Sequence, residues 1–128
     1  MVALTTQKIT ISVETSFQPK HRFAGISQVL FAYQISIKNN SATAVQLLSR
    51  HWFIADSMGL NREVQGDGVV GEQPVIQSGD SYTYMSMCSL ESDMGKMYGI
   101  YTMQRLSNDE IFEVEIPEFT MVVPNRLN

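Results

Sequence analysis

From Glu63 to Tyr84 the chain reads EVQGDGVVGEQPVIQSGDSYTY, with three of its eight glycines, Gly66, Gly68 and Gly71, inside six residues. The spelling G-x-G-x-x-G is a common signature of a loop that cradles nucleotide phosphates. That chemistry needs a buried strand before the glycines and a helix opening on them, so that the helix N-terminus faces the pyrophosphate. Here Pro74 follows Gly71 by three residues, and Val75-Ile76 are followed, after Gln77, by Ser78-Gly79, which leaves no room for a helix. No Gly-Lys-Ser/Thr follows, so a P-loop is excluded as well. The glycines are read instead as backbone devices: they reach angles closed to other residues, or let two strands approach closely. One chemical alternative needs no helix, a small anion-binding nest of successive N–H groups.

The flanking sequence alternates with period 2, as half-buried strands do. Ile9, Ile11 and Val13 alternate with Thr10, Ser12 and Glu14. Val29, Phe31, Tyr33, Ile35 and Ile37 mark a long strand, apolar on both faces in its first half, and Asn39-Asn40-Ser41 turns the chain. Ala44 to Ala55 is a third strand, with Leu48, Arg50, Trp52 and Ile54 expected on one face and Leu47, Ser49, His51 and Phe53 on the other. Asn61 to Gln65 is a short strand, Pro74 to Ile76 a short extended piece, and Ser81 to Leu90 a strand with Tyr82 and Tyr84 opposite Thr83, Met85 and Met87. Lys96 to Arg105 returns, and Phe112 to Val123 forms a last strand bent at Pro117. Seven or eight short strands joined by turns, with no helical period, predict an all-β immunoglobulin-like or fibronectin type III-like sandwich of antiparallel strands. No linker or internal repeat divides the chain, so residues 1–128 are expected to form a single domain.

Composition narrows the function classes. With 128 residues and 44% hydrophobic content the chain can bury a real core. A net charge of −4 argues against general nucleic-acid binding, which draws on a basic face; Lys20, His21 and Arg22 are a local exception. A single cysteine, Cys88, allows no intrachain disulfide and suits a reducing compartment. No basic leader, long apolar run or membrane-spanning stretch is present, so a soluble cytoplasmic protein is expected, with no membrane partner.

Candidate chemistry is sparse. Met85, Met87 and Cys88 could suggest a soft metal, but Cys88 lies on the opposite strand face, and packing explains them better. The two histidines, His21 and His51, lack the spaced partners of a zinc site. Glu113 and Glu115 alternate with Phe112, Val114 and Ile116, as the wet face of a sheet does. Ser49 and His51 share a strand face, yet nothing marks an elbow or an oxyanion hole. No metal site, cofactor or catalytic group is assigned.

The run VQLLSRHWFIAD, then REVQGDGVVGEQPVIQSGDSYTYMSMCSLESDMGKMYGIYTM, then IPEFTMVVP, resembles the ApaG family of small bacterial proteins. Gly66 to Gly71, Gln73-Pro74, Gly79, Tyr82, Tyr84, Gly95, Met97, Gly99 and Tyr101 carry the resemblance. It implies a fibronectin type III-like or immunoglobulin-like sandwich. It also implies a loose link to cobalt and magnesium homeostasis without an assigned biochemical activity. Similar domains in an F-box protein and a DNA-polymerase-interacting protein imply an interaction module. The expected function is therefore non-enzymatic binding of a protein partner near the glycine loop. The residues expected there are Gly66, Asp67, Gly68, Gly71, Arg50, Arg62 and Trp52. One alternative is a small anion or nucleotide phosphate at the GDGVVG loop, with Arg50 or Arg62 as partner. A second is a divalent-cation sensor on Glu113 and Glu115.

Overall fold

The computed structural model describes residues 1–19 and 29–124. Lys20, His21 and Arg22 therefore lie outside the described residues. Nine strands are present among the described residues, one more than the seven or eight expected. They are β1 (Val2–Thr6), β2 (Ile9–Phe17), β3 (Val29–Asn39), β4 (Val45–Asp56), β5 (Asn61–Asp67), β6 (Val75–Ile76), β7 (Ser81–Leu90), β8 (Met94–Arg105) and β9 (Ile111–Val122). The additional strand is β1. It pairs with β2 across Gln7 and Lys8, both at positive φ (52° and 66°). Neither residue is Gly or Asn, the usual occupants of such a hairpin turn, so no turn signal marked it.

Two antiparallel sheets pack face to face as a sandwich. One has the order β1-β2-β3-β7, the other β5-β4-β8-β9, with β6 pairing the start of β4. This is the all-β immunoglobulin-like or fibronectin type III-like arrangement expected. The inner faces are the alternating apolar positions: Ile9, Ile11, Val13, Phe31, Tyr33, Ile35 and Ile37 from one sheet, and Val45, Leu47, Trp52, Met97, Tyr101, Val114 and Phe119 from the other. At their centre Trp52 stands edge-on to Tyr33, Tyr101 and Phe119, with ring centroids 5.5 to 6.3 Å apart, the geometry that aromatic quadrupoles favour.

Two bulges reset the alternation. In β4, Leu47 faces Met103 and Ser49 faces Thr102, so Leu48 is an extra residue with no partner on β8. Val45 and Leu47 point inward before it; Trp52 and Ile54 do so after it. Leu47 therefore shares the inner face with Trp52, which corrects the uninterrupted alternation expected through this strand: one extra residue inverts every face beyond it. In β9 the register slips opposite Tyr98, between Ile116 and Phe119, and Ile116 and Pro117 are both buried. The bend expected at Pro117 is this bulge. Proline is tolerated there because the ladder hydrogen bond it cannot donate is already interrupted.

Polar side chains lock the two ends. The Asn39 side chain, fully buried at the end of β3, donates to the carbonyls of Thr43 (2.8 Å) and Ile76 (2.9 Å) and accepts from Ser41 N–H and Oγ. Its backbone N–H and carbonyl are bonded to the turn before β7 through Asp80 and Gly79. At the other end the buried Asp56 accepts from the N–H of Glu91 (2.6 Å) and of Met58 (3.2 Å) and from the Ser92 hydroxyl. Burial alone would raise its pKa, but these donors hold the carboxyl below its ordinary value of 3.8.

The long sides of the sandwich differ. On one, β1 lies against β9, and the N–H of Glu115 reaches the hydroxyl of Thr6 at 3.3 Å. On the other, β5 and β7 are the outer strands of their sheets, and Arg62 reaches from β5 to the Cys88 sulfur and the Ser89 carbonyl of β7.

Truncating Asn39 to Ala leaves buried carbonyls without donors and should cost about 2–4 kcal/mol, read as a lower urea midpoint at constant m-value. Asp56 ionises more easily when folded, so its contribution is whole above pH 3.8 and is lost as pH falls through the lower folded value. Asp56→Asn should therefore be less stable than wild type near neutrality, and the gap should close on acidification, as followed by urea titrations from pH 7 to the acid limit.

Candidate functional site

Leu48 has no partner on β8, and its carbonyl takes donors from the glycine loop at the other edge of β4. The N–H of Gly68 bonds Leu48 O at 2.8 Å, and the Gln73 side-chain amide bonds it at 2.9 Å. Gly68 adopts φ +61°, and a Cβ added there would lie 2.1 Å from the carbonyl oxygen of Glu72. Both the angle and the space require glycine. Val69 and Glu72 exchange both backbone hydrogen bonds (2.8 and 3.0 Å) around a two-residue turn of Val70 and Gly71, at φ +47° and +77°. Positive φ at both central positions is the requirement of a type I′ hairpin turn. The loop is thus the shaped connection expected, and no helix follows it. The N–H groups of Gly68, Val69 and Glu72, which a backbone anion nest would use, point at protein carbonyls.

Arg50, two residues past the bulge, lies on the inner face at the open side. Its Nη1 donates to the carbonyls of Asp67 (3.0 Å) and Gly68 (2.9 Å). Gly66 leaves room for the guanidinium, since a Cβ there would sit 2.9 Å from Nη1. The loop therefore serves to hold an arginine. That arginine borders a cleft of about 230 Å3 between the sheets, where β5 and β7 run along the open side. Arg62, Tyr33, Ser86, Cys88 and Ser89 also line it, with Trp52 forming part of the floor.

The cleft is polarised toward positive charge. No Asp or Glu lines it, and among the described residues neither arginine has a carboxylate within ion-pair distance. Burial raises the Tyr33 pKa against the opposing pull of the neighbouring Ser86 hydroxyl and of Arg50. The hydroxyls of Tyr84 and Tyr101 bond each other, and burial keeps both neutral at any physiological pH. Burial likewise raises the Cys88 thiol, with Arg62 acting in the opposite sense.

Of the residues expected at a site, Arg50, Arg62 and Trp52 meet at this cleft. Asp67 and Gly68 hold Arg50 through their carbonyls, and Gly66 packs under it. Gly71 lies in the hairpin turn beyond them. Trp52 is only 2% exposed, so it is a core ring rather than a surface anchor. Tyr33 and Ser86 were not singled out by the sequence. The signal available was Ser86 itself, an inward position following Tyr82 and Tyr84 where a hydroxyl interrupts an apolar face.

The other candidates stay apart. Met85 and Met87 are exposed on the outer face of β7 while Cys88 is buried, as the alternation required. Glu113 and Glu115 lie on the exposed face of β9. Among the described residues no three His, Cys, Asp or Glu side chains converge as a metal site. The ring nitrogens of His51 approach Glu63 (3.3 Å) and Gln65 (3.2 Å) rather than Ser49. Among the described residues no helix is long and apolar enough to cross a membrane.

A two-sheet sandwich with a glycine loop docked into a bulge defines a β-sandwich domain with one sealed and one open side. The ApaG domain family model matches residues 20–105. Protein ApaG of Vibrio vulnificus strain YJ016 is 46% identical, covering 94% of this chain and 95% of its own. Protein ApaG of Methylorubrum populi is 44% identical over 98% of this chain and 95% of its own. A crystal structure from Bordetella pertussis, 37% identical, superposes with a TM-score of 0.85 over 91% of this chain and 94% of that one. The chain belongs to the ApaG family.

Two substitutions in the loop should move stability in opposite directions. Gly68→Ala combines left-handed strain with a backbone clash and should cost roughly 3 kcal/mol. Val70→Gly relieves a β-branched residue at positive φ whose side chain is exposed, and should gain about 0.5–1 kcal/mol. Paired denaturant melts of the two variants and wild type check both signs.

Proposed function

We propose that this chain is a non-enzymatic binding module, acting in the cytoplasm, that recognises a protein partner along the open side of its sandwich. The observation that carries the reading is the asymmetry between the sides. Among the described residues all four outer strands, β1, β5, β7 and β9, have one main ladder partner, but β1 and β9 pack against each other, whereas β5 and β7 border an open cleft. An outer strand without a second neighbour offers backbone donors and acceptors to an extended segment of a partner. Beside it, on the outer face of β7, Met85 is 58% and Met87 49% exposed. Methionine is well suited to such a surface, because its flexible thioether adapts to different partner shapes. Arg62 covers the Ser89 carbonyl, which leaves the Ser81 to Met87 portion of β7 as the accessible length. The family resemblance to modules found in larger interaction proteins supports the same reading.

A photo-crosslinking residue tests it. Placed at Met85 or Met87, it should capture a discrete partner in cell extract; placed at Ala3 in β1, it should not. Met87→Lys should abolish capture from Met85 while the fold is retained by circular dichroism. Equal capture at Ala3, or none at β7, would sink the reading.

A further inference from the structure

We propose that the cleft between β5 and β7 is a binding site for a phosphate-class oxyanion, held by Arg50 and Arg62 with the hydroxyls of Tyr33 and Ser86 at its wall. This anion binding does not rest on partner recognition at the β7 edge, and the two surfaces adjoin at Ser86 and Met87, which also line the cleft.

It begins with a donor count. A guanidinium has five N–H groups and cannot be deprotonated in a protein. Arg50 uses Nη1 on the Asp67 and Gly68 carbonyls. Arg62 uses Nη2 on the Cys88 sulfur and the Ser89 carbonyl. In each residue the Nε–H and the two hydrogens of the other terminal nitrogen have no acceptor among the described residues. Both guanidiniums are therefore anchored on one side and available on the other. Anchoring matters because an arginine already fixed loses little rotamer freedom when a ligand arrives.

The second strand of the argument is charge. The chain carries a net charge of −4, so two arginines sharing a cleft with no carboxylate on its walls are against the average of the molecule. The other described arginine, Arg105, has the ordinary arrangement, 3.1 Å from Glu110. The carboxylate whose charge is felt at Cys88 is Asp56, and its oxygens are already taken by Ser92, Glu91 N–H and Met58 N–H. A tetrahedral oxyanion presents several acceptors at once, which matches planar guanidinium forks and hydroxyl donors. The cleft, at about 230 Å3, is several times the roughly 30 Å3 of a water molecule, so a phosphate fits with part of its hydration shell. The site also uses the glycine loop indirectly: the loop does not touch the anion, but its carbonyls aim Arg50.

The test uses pure protein and inorganic phosphate, with pyrophosphate and phosphoserine as parallel arms and sodium chloride at matched ionic strength as the blank. Amide resonances are followed by two-dimensional NMR. Saturable shifts concentrated at Arg62 to Val64 and Ser86 to Ser89 are expected, absent with chloride. Arg62→Ala should weaken phosphate binding at least about tenfold, the scale of one charge-assisted pair, while Arg105→Ala leaves it unchanged. Arg62→Lys, which keeps the charge but loses the fork, should bind between the two. Tighter binding of phosphoserine than of phosphate assigns the anion to a modified partner; the reverse assigns it to a free ion. Absence of saturation with all three probes, shifts centred elsewhere, or binding insensitive to Arg62→Ala in a folded variant overturns the site. None of these results depends on the crosslinking outcome at β7.

Discussion

The carbonyl of Leu48 is the hinge on which the structure turns. An extra residue in β4 leaves Leu48 with no partner on β8, and its carbonyl is turned to the edge of β4 on which β5 and the glycine loop lie. The glycine loop answers it with a backbone N–H and a glutamine amide. Gly68 must then approach so closely that no side chain fits. The bulge also inverts the face of every residue after it, which brings Arg50 and Trp52 to the inner side with Leu47. The close approach of Gly68, the inverted face of β4 and the placement of an arginine between two sheets all go with that one extra residue.

That arginine gives the open side its chemistry. Without the carbonyls of Asp67 and Gly68, a guanidinium at the rim of an apolar core would turn outward to water. Held as it is, it lies among Tyr33, Tyr84 and Tyr101, and each of those phenols senses its charge. The Tyr84 and Tyr101 hydroxyls are bonded to each other, whereas Tyr33 and Ser86 line the cleft beside the arginine. On the sealed side β1 covers β9. The cleft is thereby on one long side of the sandwich, bordered by β5 and β7.

How much of this was legible depended on whether a feature obeys a period. The strands, the inward positions of β2, β3 and β7 and the wet face of β9 all follow strict alternation, and the pattern carried them. Features that break the period did not show unless a proline marked them, as Pro117 did in β9. Leu48 looks like any other apolar residue in VQLLSRHW, and only the register with β8 reveals it as extra. Gln7 and Lys8 form a hairpin turn without a glycine or asparagine to announce it, so β1 was hidden. The polar turn at Asn39 was visible, but its burial was not, because the acceptors it bonds are carbonyls remote in sequence. Arg50 and Arg62 could be named as cations near the loop; their meeting at one cleft required the sheets to be stacked.

The strain at Val70 bears on which part of the loop is structural. A β-branched side chain at φ +47° is unfavourable, whereas the glycines on either side are placed where backbone geometry demands them. Relief by glycine at position 70 would remove an apolar side chain that is 62% exposed and touches nothing the core needs. Strain that contributes nothing to packing persists in a fold only when the fold around it is firmly determined. Here the Leu48 bulge, the Gly68 contact and the Val69–Glu72 bridge fix the turn from three directions. The loop is consequently rigid at its base, where it aims Arg50, and free to vary at its tip.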